Sequence, residues 1–147
     1  MSSVSDIVML RKETRPMRSP AERAVKLHAA GFQSGRVEML AKCYDLPLPV
    51  YMNDEVFVIE SEQKFIELIS GYRYFVMKDG LAKVHGELID EFDDGDHMLI
   101  TTRFTFEYAD GRKNEAVSTR YARKSGNRLI VEMVDNETFP HHVAKAV

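Results

Sequence analysis

The sequence has one cysteine, no long hydrophobic run and no excess of positive charge, and each shortage excludes something. With Cys43 alone there is no intrachain disulfide, and the lone thiol suits a reducing compartment, so a cytoplasmic protein is expected. No apolar run approaches the ~20 residues that a membrane span needs, so no membrane partner is expected. The apolar patch at residues 7–10 is too short for the core of a signal peptide. A formal charge of −3 offers nothing to nucleic acid. Five histidines and one cysteine show no metal-ligand spacing, so no metal and no other cofactor is expected. Internal repeats and low-complexity segments are also absent.

What remains is an ordinary globular composition. The 147 residues are 44% hydrophobic and 29% charged, enough to bury one core in one domain. Residues 1–18 carry Arg11, Lys12, Arg15 and Arg18 against Asp6 and Glu13 with little periodicity. They read as a loosely held basic arm, an edge strand added to a partner, or a frayed end.

Order is expected from Ser19-Pro20-Ala21-Glu22, where Ser19 caps, Pro20 suits the first helical position and Glu22 completes a capping box. Ala21, Ala24, Val25, His28, Ala29 and Phe32 then follow one helical stripe, which Gly35 stops. Val37, Leu40, Ala41 and Tyr44 mark a shorter second helix. Pro47 and Pro49 forbid its continuation and suit an edge strand, and Asn53-Asp54 links residues 50–52 to 56–59 as a hairpin. Ser61 caps a third helix that buries Phe65, Leu68, Ile69, Tyr72 and Val76.

Beyond Gly80 the period changes from helical to alternating. Residues 81–92, 97–108, 115–124 and 128–138 read as four long strands joined by Asp- and Gly-containing turns. Helices first and hairpin-linked strands afterwards give an α+β domain with an antiparallel sheet. In the second of these strands Met98, Ile100, Thr102, Phe104, Phe106 and Tyr108 share the face that must meet the helices. A turn at Ser125-Gly126 would pair Ala122 with Leu129, Arg120 with Val131 and Ser118 with Met133. Neither face of that hairpin is plainly polar, so the outer side of the sheet is expected to meet a second copy in a homodimer.

The order, lengths and turn placement resemble the nuclear-transport-factor-2-like superfamily, over about residues 19–138. That superfamily includes ketosteroid isomerase, polyketide cyclases, scytalone dehydratase and many non-catalytic binding modules. The most specific pieces are Ala29-Ala30-Gly31-Phe32-Gln33-Ser34-Gly35 and Phe106-Glu107-Tyr108-Ala109-Asp110-Gly111-Arg112-Lys113, both similar to stretches of bacterial ketosteroid isomerases. The resemblance implies a cone-shaped, cystatin-like fold, its curved antiparallel sheet wrapped around three N-terminal helices. Residues 1–18 would be an arm and 139–147 a tail. It also implies what is missing from the isomerase site. The oxyanion-holding tyrosine falls on His28, the protonated acid on Arg120, and the general-base aspartate on Met52, with Asp54 two residues away. A base and two neutral donors are what that chemistry needs, so ketosteroid isomerase activity is not expected.

The same comparison turns Phe106 and Arg120 toward the pocket. The expected pocket residues are His28, Phe32, Tyr44, Tyr51, Phe104, Phe106, Arg120, Val131, Met133 and Asp135; catalysis, if any, would fall to His28 or Asp54. His28 is either a satisfied core histidine or a hydrogen-bonding, proton-transferring group at the pocket wall. A guanidinium turned into an apolar cone needs an acid, with Asp135, Asp90 and Glu137 in question, or an anionic ligand; a register slip would expose it. Tyr44, Tyr51 and Tyr72 either send hydroxyls into the pocket or pack. Cys43 lacks a partner for nucleophilic work. Two functions follow. One is a small-molecule-binding protein with a cavity of several hundred Å3, or an isomerase- or dehydratase-like enzyme. The other is a non-catalytic dimerisation module with a filled cone and a neutralised Arg120.

Overall fold

The computed structural model describes residues 19–138; the basic arm and the tail lie outside the described residues. Capping chemistry sets the helices. Helix α1, Pro20–Ser34, begins where Ser19 Oγ accepts the Glu22 amide at 3.1 Å, and ends at Gly35, whose φ of 81° suits a residue without Cβ. Helix α2, Val37–Ala41, is a single turn, and helix α3, Glu62–Lys78, starts with Ser61 accepting the Lys64 amide. Among the described residues no helix is long and apolar enough to cross a membrane.

Six strands follow the expected order: β1 Leu48–Met52, β2 Glu55–Ile59, β3 Leu81–Asp94, β4 His97–Tyr108, β5 Lys113–Ser125 and β6 Arg128–Thr138. They form one sheet in the order β2-β1-β6-β5-β4-β3. Neighbours pair antiparallel except β1 and β6, which run parallel. The proline-bearing β1 is therefore not the edge expected for it; β2 is. Pro49 is tolerated because pairing with β6 starts only at Val50, so no ladder bond to β6 is asked of the missing N–H. The hairpin between β1 and β2 turns on Asn53 and Asp54, with φ of 54° and 64°.

Bulges bend the sheet around α1 and α3. Two lie in β3, between Leu81 and Lys83 and between Leu88 and Asp90, and two lie along β5–β6, at Val117/Ser118 and Tyr121/Ala122. On the concave side α1 crosses β3 closely at Gly86. A Cβ there would stand 2.8 Å from Val25 Cγ1 and 2.9 Å from the Val25 carbonyl, so only glycine admits the crossing. Met98, Ile100, Thr102, Phe106 and Tyr108 are buried on this side and Phe104 is half-buried, as the alternation of β4 requires. The core divides in two. One cluster joins Leu48, Val50, Phe65, Ile100 and Val134; the other joins Ala29, Tyr72, Val76, Val84 and Phe106.

Candidate functional site

Where the two clusters fail to close on each other, a cavity opens. It has two lobes, of about 120 and 130 Å3, with Tyr44, Phe65, Ile69, Tyr72, Arg120 and Asn136 as their common wall. Each lobe is smaller than the several hundred Å3 expected, because aromatic side chains fill much of the cone. Phe32 lies 5.6 Å from Tyr72 and from Phe106, and Tyr44 lies 4.7 Å from Phe65, centroid to centroid.

His28, Phe32, Tyr44, Phe104, Phe106 and Arg120 all line the cavity. His28 sits on the buried stripe of α1, its Nδ1 donating to the Ala24 carbonyl at 2.8 Å, a bond that fixes the neutral tautomer with the proton on Nδ1. Its ring meets Tyr44 edge-on, with centroids 5.4 Å apart. Nε2 is buried and meets no hydrogen-bond partner among the described residues, which leaves its acceptor lone pair unused by them. Burial, and secondarily the Arg120 charge, depress the His28 pKa to about 3 against the pull of the Ala24 bond, so the imidazole is neutral and weakly basic. The Tyr44 hydroxyl is pushed upward by burial, with Arg120 opposing, and stays protonated.

Arg120 comes from β5, half-buried between rings. Its guanidinium lies 5.3 Å from the Phe104 centroid and 5.9 Å from that of Tyr44, and Nε reaches Ser118 Oγ at 3.4 Å. Ser118 is itself held by Thr102, hydroxyl to hydroxyl, at 3.1 Å. Among the described residues no carboxylate forms an ion pair with Arg120, and neither lobe is lined by an aspartate or glutamate. The three acids considered for it all lie elsewhere. Asp135 pairs with Thr119 and Asp90 with Thr101, both exposed on the outer face, and Glu137 accepts from Thr119 at 3.3 Å.

Five expected pocket or catalytic residues do not line the cavity. The turn is Gly126-Asn127 rather than Ser125-Gly126, since Ser125 pairs with Arg128. Of the two extra residues that β6 holds against β5, Glu132 and Glu137, the first comes before the expected pocket positions Met133 and Asp135. That bulge pairs Tyr121 with Met133, sending Met133 and Asp135 to the outer face and bringing Val134 and Asn136 to the inner one. Val131 remains buried against the sheet, pairing with Ala122 and Tyr44, but lines neither lobe. Tyr51 is 44% exposed, because Leu48, Val50 and Met52 take the inward positions of β1. Asp54 stands exposed in its turn, where aspartate suits a positive φ, and has no access to the cavity as a base. Cys43 is buried with Sγ donating to the Met39 carbonyl at 3.6 Å, and burial raises its pKa, so the thiol is inert.

The lobes also differ in lining. Sequence reasoning missed Met52, Phe57, Val134 and Asn136. The isomerase comparison sets Met52 where the family's base stands, and the inward alternation of β1 agrees with it; only the bulge reveals the last two.

No protein-family model matches the chain, and no curated protein is similar to it in sequence. Solved structures do match. An NTF2-like protein with a cystatin-like fold from Novosphingobium aromaticivorans is 12% identical, covers 100% of this chain and 98% of its own, and superposes with a TM-score of 0.63. An NTF-2-like protein of unknown function from Shewanella oneidensis is 13% identical over 78% of this chain and 93% of its own, with a TM-score of 0.60. A ketosteroid isomerase-like fold protein from Catenulispora acidiphila, solved with trimethylamine, is 13% identical over 88% and 93%, with a TM-score of 0.53. Helices followed by a curved, unclosed, mostly antiparallel sheet, together with these neighbours, make this chain a protein of the nuclear-transport-factor-2-like fold.

Proposed function

We propose that the cone binds a small apolar ligand carrying an anionic oxygen, which Arg120 holds. The observation that carries this reading is a cation facing an apolar cavity with no carboxylate beside it. Arg120 is half-buried, so water screens part of its charge, and an anion entering the cavity would supply the counter-charge that no described side chain does. The rings of Tyr44 and Phe104 stand against the guanidinium but do not neutralise it. Binding is favoured over isomerase or dehydratase chemistry because no carboxylate lines the cavity and His28, with a pKa of about 3, is a poor base near neutral pH.

The test uses two fluorophores of one ring system, anilinonaphthalene sulfonate and the uncharged phenylnaphthylamine. Wild type should prefer the sulfonate by about tenfold or more, the worth of one charged hydrogen bond. Arg120→Gln should erase the preference while leaving the neutral dye unaffected. Equal binding of the two dyes by wild type would sink the anion-anchor reading.

A second reading concerns assembly. Phe92, Leu99, Tyr121 and Met133 are successive partners across four strands on the outer face, and Phe92 is 62% exposed. This apolar band supports a homodimer through the outer side of the sheet. Sedimentation should show a dimer that Leu99→Lys converts to monomer; a monomeric wild type at high concentration would exclude it.

A further inference from the structure

The two lobes do not offer the same surface, and their common wall carries Arg120 and Asn136. Lobe one belongs to rings and hydrogen-bonding groups: Phe32, Phe104 and Phe106 wall it, with His28 and Ser118 among them. Lobe two is largely aliphatic, made by Leu48, Val50, Met52, Leu68 and Val134 with Phe57. Arg120 and Asn136 border both, so the cation that lines the cavity among the described residues belongs to the boundary of the two lobes and not to the far end of one. A ligand with its charge at one end can fill only one lobe while touching Arg120. A ligand with its charge in the middle fills both.

We infer that the natural ligand is a two-armed molecule whose anionic oxygen lies between a flat aromatic arm in the first lobe and an aliphatic arm in the second. This rests on the anion-binding reading of the same cavity and adds the ligand's shape. The aromatic arm belongs in the first lobe, whose wall includes Phe104 and the rings of Phe32, Tyr72 and Phe106, packed on one another at 5.6 to 5.9 Å and offering their remaining faces and edges. His28 adds a further demand. Its Nε2 is a buried acceptor with no hydrogen-bond partner among the described residues, on a ring that lines this lobe, and a hydroxyl or N–H on the aromatic arm would supply the missing donor. The aliphatic arm needs no polar group, because Asn136 at that boundary is the only hydrogen-bonding side chain besides Tyr44, Tyr72 and Arg120 on that lobe.

Two isomeric acids separate this from the parent reading. In α-benzylhexanoic acid the carboxylate lies between a benzyl and a butyl arm; in ω-phenylheptanoic acid, of the same composition, it is terminal. Calorimetric titration of wild type should show the branched acid binding about tenfold or more tighter than the linear one. Val134→Phe, which fills the aliphatic lobe alone, should remove that preference while leaving β-phenylpropionic acid, which has only the aromatic arm, unchanged. Leu68→Trp, on the half-buried side of α3, makes the same test should the buried Val134 site not accept phenylalanine. If both C13 acids bind equally well and both are lost in Arg120→Gln, the two-armed inference fails and the anion anchor stands. If neither acid binds wild type, both fail.

Discussion

Each side of the sheet is faced by an arginine and a histidine, and the two sides supply them differently. Outside, Arg103 lies 3.5 Å from Glu87 and 3.8 Å from Glu115. His97 meets Glu132 at 2.8 Å and stacks on Tyr121 with centroids 4.7 Å apart. Inside, Arg120 has ring faces and the Ser118 hydroxyl, and His28 has one carbonyl on Nδ1 and nothing on Nε2. The residue types are the same and the partners are not. Arg103 lies beside two carboxylates, although its Nε too makes no hydrogen bond among the described residues, whereas no described carboxylate pairs with Arg120. A buried polar group without a partner costs about 1–3 kcal/mol, so the inner side holds groups that the folded chain alone does not satisfy. Such a local conflict marks a place shaped by something other than stability.

The largest expected effect lies in binding. Arg120→Gln and Arg103→Gln remove the same charge from the two faces of one sheet. The inner change should weaken an anionic apolar probe by about tenfold or more, whereas the outer change should leave its affinity within about twofold. Comparable losses in both variants would mean that the sheet's overall charge, not a site, attracts the probe.

Next in size is the response to acid. His28 is neutral in the fold with its pKa depressed to about 3 from an ordinary 6.5, so the unfolded chain binds one more proton between those values. Its contribution is therefore complete above about pH 6.5 and is lost as pH falls toward about 3, at a limiting slope of about 1.4 kcal/mol per pH unit. His28→Phe keeps an aromatic ring and removes the titration. Urea denaturation from neutral pH down to about pH 4.5 should show wild type losing stability faster than the variant. Parallel pH profiles would contradict a buried neutral His28.

Much of this arrangement was legible in the sequence, and the part that was not has one physical cause. Ser19, Gly35 and Ser61 set the helix ends because capping uses neighbouring residues, and the alternation of β4 oriented Phe104 and Phe106 because burial on one face imposes a period of two. Position along the helical stripe likewise aimed His28 inward. Register is different, since it belongs to a pair of strands. One extra residue, Glu132, exchanges Met133 and Asp135 for Val134 and Asn136 on the inner face, and nothing local to β6 signals it. The parallel pairing of β1 with β6 is equally long-range, which is why Pro49 read as an edge marker.

A smaller effect, opposite in sign on the two faces, is expected in the stability of the unliganded protein. Arg120→Met replaces an unmatched cation with an apolar side chain of similar length and should raise stability by about 1 kcal/mol. Arg103→Met removes two ion pairs that are open to solvent and should lower it by no more than about 1 kcal/mol. Thermal unfolding of the pair checks the sign. A destabilised Arg120→Met would mean that its ring and hydroxyl contacts already suffice.

The smallest effect tests whether the outer side is as well supplied as its distances suggest. Glu132 is the bulge residue, and it faces His97 at 2.8 Å and Arg123 at 3.6 Å. Glu132→Gln keeps the length and a hydrogen-bonding oxygen and removes the charge. The side chains of His97 and Glu132 are each 28% exposed and that of Arg123 is 38% exposed, so water takes over much of what the carboxylate did. A loss of about 0.5 kcal/mol in urea unfolding is expected. The bulge itself should persist, because Val131 and Val134 on either side of it are both buried inward and hold the change of face. A loss above about 2 kcal/mol would show that this side also stores an unscreened charge, and the contrast between the two faces would then lie in their partners alone and not in their exposure to water.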